Sequence, residues 1–118
     1  MVMDETDVNI RRHQFETLDF LSSESEQREF ASKVFYPAYQ YEFGAWWFDM
    51  FYPDESFSLE IYSLSELEIL KRFSTIFDEC FDVLGSDEMT IEQLQSTAAW
   101  KTIVSAATIA CADLKHAN

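Results

Sequence analysis

The chain has 118 residues, with 22 acidic against 8 basic side chains, a formal net charge of −14, and 47% hydrophobic and 16% aromatic content. That length suits one domain, 1–118, with a core of its own, and the apolar fraction excludes disorder in spite of the charge. The acidity argues against binding nucleic acid or an anionic membrane, and it favours basic partners.

The opening residues Met1 to Asp7 are acidic and lack an apolar stretch, so they do not read as a secretory signal. No run approaches the ~18 apolar residues of a membrane span. Two cysteines, Cys80 and Cys111, make no disulfide framework, and a reducing cytoplasm is the expected setting. Two glycines and two prolines are too few for a fold of many tight turns, so long helices are expected.

Residues 6–21 read as a first helix. Val8, Phe15, Leu18 and Leu21 or Phe20 form its apolar stripe, and Arg11, Arg12, Glu16 and Asp19 its wet face. Ser23 and Glu26 have capping-box spacing and open a second helix that runs to about Phe35 and buries Phe30 and Val34. Pro37 biases Tyr36 away from the helical region. Ala38 to Phe51 then reads as a third helix with Gly44 as its weak point. A strand over Trp46 to Tyr52 competes with it, because both faces are apolar. Pro53-Asp54-Glu55-Ser56 is a loop. Phe57, Leu59 and Ile61 alternate with Ser58, Glu60 and Tyr62, the period of a short strand.

Ser63 with Glu66, or Ser65 with Glu68, caps the clearest helix, which ends at Leu84. Leu67, Leu70, Phe73, Phe77, Cys80, Phe81 and Leu84 share one stripe, and Gly85 follows as a helix stop. Thr90 and Gln93 open a last helix to about Leu114, joined to the previous one by the five residues Gly85 to Met89. So short a link makes an antiparallel hairpin. Its register sets Ala98 and Ala99 near Phe73 and Phe77, and Cys80 opposite about residue 95. Cys111 then lies roughly 24 Å from Cys80, beyond disulfide reach, and both thiols read as buried small apolar groups. The fold class is therefore mainly α, a single-domain bundle of four or five helices with a C-terminal antiparallel hairpin and room for one short extended segment.

No motif names a reaction. There is no G-x-S-x-G, no Gly-rich phosphate loop and no C-x-x-C, and His13 and His116 lack ligand neighbours at metal spacing. Asp82 to Gln93 resembles a calcium loop only loosely. Leu84 takes the third position, Asp87 stands where glycine is required, and Gln93 replaces the bidentate glutamate, so a turn followed by an N-cap is the better reading. The expectation is thus a binding protein with no catalytic, cofactor or metal residues.

Two features point to a partner. Phe35 to Phe57 holds eleven of the nineteen aromatic residues and no lysine or arginine. Its adjacent Trp46 and Trp47 diverge in direction, so one can be core while the other faces outward as an interface anchor. Between Val34 and Trp100 there are thirteen acidic residues and two basic ones, Lys71 and Arg72. Such a face lacks the cations that normally intersperse a solvated one. The candidate contact residues are Trp46, Trp47, Asp49, Asp54, Glu55, Asp78, Glu79 and Asp82.

Small size, acidity and the run Trp46-Trp47-Phe48-Asp49-Met50-Phe51-Tyr52-Pro53-Asp54-Glu55 resemble the bacterial toxin-immunity proteins of the bacteriocin or contact-dependent growth inhibition type. The resemblance is to a class of many unrelated folds, so it carries over no residue. It implies a tight complex with a basic protein, a cognate nuclease toxin, whose nucleic-acid cleft the carboxylates occlude. A DNA-mimic inhibitor has the same profile. A small helical adaptor or regulatory subunit whose acidity serves only solubility is the alternative from another class.

Overall fold

Side-chain caps set five of the seven helix starts among the described residues. The computed structural model describes residues 4–117, which form seven helices: α1 (Glu5–Leu21), α2 (Glu24–Lys33), α3 (Tyr39–Phe48), α4 (Ser58–Ile61), α5 (Leu64–Leu84), α6 (Ile91–Ser96) and α7 (Ala98–Leu114). Asp4 accepts from the Asp7 amide at 2.8 Å and Ser23 from the Glu26 amide at 3.3 Å. Ser63 with Glu66, and Thr90 with Gln93, close both bonds of a capping box. Each cap satisfies amides that the first helical turn leaves without partners. No helix among the described residues is long and apolar enough to cross a membrane.

The mainly α expectation is met, and residues 39–48 are helix. The bundle's longest contact is the expected antiparallel pairing, here between α5 and α7. Phe77 meets Trp100 at one end, with ring centroids 6.2 Å apart, and Ile69 shares a groove with Asp113 at the other. α1 packs across α7, α2, α3 and α4. The fully buried side chains Leu18, Phe43, Trp47, Leu70, Phe77, Leu94, Trp100 and Ile103 form the core between these helices.

The helices number seven among the described residues rather than four or five, α3 ends at Phe48 rather than Phe51, and five further details differ from the sequence reading. The segment 57–62 is not a strand. Ser58, Ile61 and Tyr62 are buried while Leu59 is 58% exposed, a helical rather than an alternating pattern. No neighbouring strand exists among the described residues, so the backbone bonds close locally, Ile61 N–H to Phe57 O at 3.2 Å and Tyr62 N–H to Ser58 O at 2.9 Å.

The last helix is split at Thr97, whose ψ of 146° leaves the helical region. Its hydroxyl donates to Leu94 O at 2.7 Å and accepts from the Trp100 amide at 3.1 Å, so one residue ends α6 and starts α7. The break shifts the hairpin register: Trp100 rather than Ala98 or Ala99 meets Phe77, and Phe73 lines a groove with Ala106.

α2 stops at Lys33, two residues before Phe35, and Val34 is extended and exposed. Gly44 is a site of close approach rather than a weak point. A Cβ there would lie 2.7 Å from Phe81 Cε2, so glycine is what lets α3 seat against α5.

Arg11, expected on the wet face, turns inward. Its guanidinium donates twice to Glu66, at 2.8 and 2.6 Å, and once to Ile61 O at 3.0 Å, while stacking 4.5 Å from the Phe15 ring centre. The Glu66 carboxyl is held below its usual range, first by the Arg11 hydrogen bond, and burial pushes the neighbouring Tyr62 hydroxyl up to about 12. Glu66 thus caps α5 and ties α1 to it.

Candidate partner-binding surface

The aromatic run places its rings on more than one side of α3, and both sides are occupied. Trp47 is 0% exposed. Its indole N–H donates to Ser74 Oγ at 3.1 Å, and its ring sits 4.9 Å from that of Phe73. Trp46 points the other way and is half-buried, edge-on to Phe20 at 5.3 Å and Phe30 at 5.1 Å. Adjacent residues on a helix diverge by about 100°, and here α5 fills one direction and α1 with α2 the other. Neither tryptophan therefore stands out as an exposed anchor, and Trp47 is withdrawn into the core. The carbonyl end of α3 is likewise closed from α1. His13 Nε2–H donates to Trp46 O at 2.8 Å, and Gln14 Nε2 to Trp47 O at 3.2 Å.

The six acidic candidates are all exposed and fall into two groups. Asp49, Asp54 and Glu55 lie in the connection from α3 to α4. Asp49 caps the C-terminal end of α3, and its carbonyl accepts from Tyr52 Oη at 2.8 Å. Asp78, Glu79 and Asp82 lie on the outer half of α5. Helical spacing puts Asp78 and Asp82 on the flank that also bears Ser74 and Phe81, which pack on α3, while Glu79 lies further round. Of the ion pairs among the described residues, Arg11–Glu66, Lys33–Glu29 and Arg72–Glu68, none involves these six carboxylates. Asp49 and Asp82 also sit at helix C-terminal ends, where the helix dipole disfavours a negative charge.

A surface that the sequence reading did not single out joins the second group. The link between α2 and α3 runs against the turn between α5 and α6: Met89 N–H donates to Pro37 O at 3.1 Å, and Gln40 Nε2 to Asp87 O at 2.8 Å. Glycine at position 85, with φ 65°, turns the chain into this contact. On top stands Phe35, 81% exposed. It borders two shallow clefts, one with Tyr36, Pro37 and Glu88, the other with Arg28, Tyr39 and Glu92. Asp82, Asp87, Glu88 and Glu92 are all exposed around this end of the molecule, and none of them is in an ion pair among the described residues. Arg28 is engaged with Gln95 Oε1 at 3.1 Å. The signal for Phe35 was available: in a short extended link adjacent side chains point to opposite sides, so Phe35 and Tyr36 cannot both pack inward.

No family model, curated protein or solved structure matches this chain. Its chemistry therefore rests on the surface itself. Among the described residues no group of three His, Cys, Asp or Glu side chains converges to hold a metal ion. Cys80 and Cys111 are free thiols, both half-buried. Burial pushes the Cys111 thiol up to about 11, assisted by the Asp19 carboxylate that accepts from it at 3.3 Å, and burial raises Cys80 as well. Neither is an activated nucleophile. An exposed ring beside unpaired carboxylates is suited to docking a protein that offers an apolar pocket ringed by cations.

Proposed function

We propose that this protein is an inhibitor of the toxin-immunity kind, which binds a basic protein partner, in the first instance a nuclease toxin, and occludes its nucleic-acid-binding cleft. The observation that carries the reading is Phe35, exposed between the clefts that Glu88 and Glu92 border, at an end of the molecule whose carboxylates are left unpaired among the described residues. Acidic side chains at helix C-terminal ends weaken rather than strengthen the fold, which supports a use for them outside it. The ring supplies an apolar anchor, and the carboxylates supply attraction and register. A DNA-mimic inhibitor works by the same charge display. The two free thiols support action in the cytoplasm. The proposed role is binding, with no reaction and no cofactor.

The test is affinity capture from cells of the source organism with wild type and with a Phe35→Ala, Glu88→Lys, Glu92→Lys variant of unchanged thermal stability. Capture of a basic protein by the wild type alone, encoded directly upstream of this chain, is the expected result. Equal capture by both proteins, or an acidic partner, would return the account to a helical adaptor whose charge is only solubilising.

A further inference from the structure

A flank of α5 beside its contact with α7 differs from the acidic one. Ile69, Ile76 and Val83 recur there every seven residues, so they stack at nearly one angle on the helix. Ile69 and Ile76 are half-buried, while Val83 is 78% exposed. Beside them, between α5 and α7, runs a groove of about 290 Å³ lined mainly by apolar side chains, Ile69, Phe73, Ile76, Ala106 and Ile109 among them, with Arg72 and Asp113 also lining it. Ile109 is 62% exposed. The α7 side is almost uncharged, with only Lys101 and Asp113 along the whole helix. On a chain of net charge −14, an open and mainly apolar groove of this kind is a place where a partner surface can be buried.

The order of charges along α5 indicates what covers it. Arg72, which also pairs with Glu68 of its own helix at 3.5 Å, lies on the same flank as the apolar row in the first half of the helix, and Glu79 at its edge in the second. Two copies of α5 laid antiparallel about Ile76 bring Ile76 onto Ile76, Ile69 onto Val83, and Arg72 beside Glu79, twice over by symmetry. Apolar residues meet apolar residues and opposite charges meet, all about one point, which is the self-complementarity a twofold interface requires. We propose that the occupant of this face is a second copy of the same chain, with Val83 of each copy entering the groove of the other beside Ile69. Asp78 and Asp82 are on the flank toward α3, so the dimer leaves the Phe35 end open. The inference is independent of the proposed function.

Sedimentation velocity of the full chain, from micromolar to millimolar concentration at physiological salt, tests this. Mass should rise with concentration from one chain to two. Val83→Asp should weaken association by about tenfold or more, because one buried apolar contact is lost in each copy. Arg72→Glu should weaken it too, and the double exchange Arg72→Glu, Glu79→Arg should restore it. Val83 and Arg72 are exposed, so these variants keep the fold, and thermal melts verify that. A single chain at every concentration would overturn the proposal. So would a dimer that Val83→Asp leaves intact, or one that the double exchange fails to restore.

Discussion

Tyr39 to Trp47 and the link Val34 to Pro37 are neighbours in sequence and similar in aromatic content, yet the structure treats them in opposite ways. In α3 the rings of Tyr39, Phe43 and Trp47 are almost wholly removed from water. In the link, Phe35 is left out at 81% exposure. Composition does not separate them, but backbone geometry does. A helix repeats its directions every 3.6 residues and can offer one ring after another to the same partners, whereas an extended link alternates its side chains, so Tyr36 packs on Phe30 and Tyr39 while Phe35 turns outward. The difference teaches where to look for contact residues in this chain: at apolar side chains the helices did not recruit, and at carboxylates that no cation neutralises.

The interior side of the comparison should break first. Phe77 is fully buried between Trp100 and Phe48, so Phe77→Ala should cost about 3–5 kcal/mol, read from chemical denaturation. An unchanged midpoint would remove the α5–α7 pairing from the account. Glu66→Gln comes next. Glutamine can still cap α5, as Gln93 caps α6, but it loses the charge facing Arg11, so a loss of about 1–3 kcal/mol is expected at pH 7. The folded carboxyl titrates below its unfolded value. Its contribution is therefore complete above the unfolded value of about 4.3 and fades as pH falls through the folded one. Wild type and variant should converge in acid. A gap that stays constant with pH would mean the charge contributes nothing.

Most of the fold was legible because its boundaries are local. Ser23, Ser63, Thr90 and Gly85 announce helix ends through bonds to residues three or four away. What was not legible depended on contacts distant in sequence. Thr97 is an N-cap residue type, but with Trp100 rather than Glu or Gln three residues on it completes no capping box and sits inside a continuous helical pattern. It breaks the helix where Trp100 must reach Gln27 Oε1, at 2.9 Å, in a buried network with Gln95. Arg11 looked solvated until α5 brought Glu66 to it. Of the contact candidates, the exposed state of Asp78, Glu79 and Asp82 followed from their positions off the apolar stripe, and that of Asp54 and Glu55 from the loop after Pro53. The tryptophans did not follow, because a ring's burial depends on helices that sequence alone does not place around it.

Smaller effects sharpen the contrast. Gly44→Ala gains about 1 kcal/mol in helix propensity but meets Phe81 at 2.7 Å, and overpacking of that kind costs about 1–3 kcal/mol. A net loss near 1 kcal/mol is expected, and a stabilised variant would show that the Phe81 ring swings aside freely. Phe35→Ala should change stability by no more than about 0.5 kcal/mol, since an exposed ring supports nothing in the fold. A larger loss would make Phe35 a structural residue.

The most direct test is stopped-flow association with the cognate partner, comparing wild type with the charge-reversed variant Asp82→Lys, Asp87→Lys, Glu88→Lys across a salt series. If these carboxylates steer a basic protein, the wild-type on-rate falls steeply as salt rises, from a value that steering can bring to ~10⁸ M⁻¹s⁻¹, while the variant associates slowly and almost independently of salt. An on-rate that responds neither to salt nor to the reversal would contradict the account and leave the acidic end a merely solvated surface.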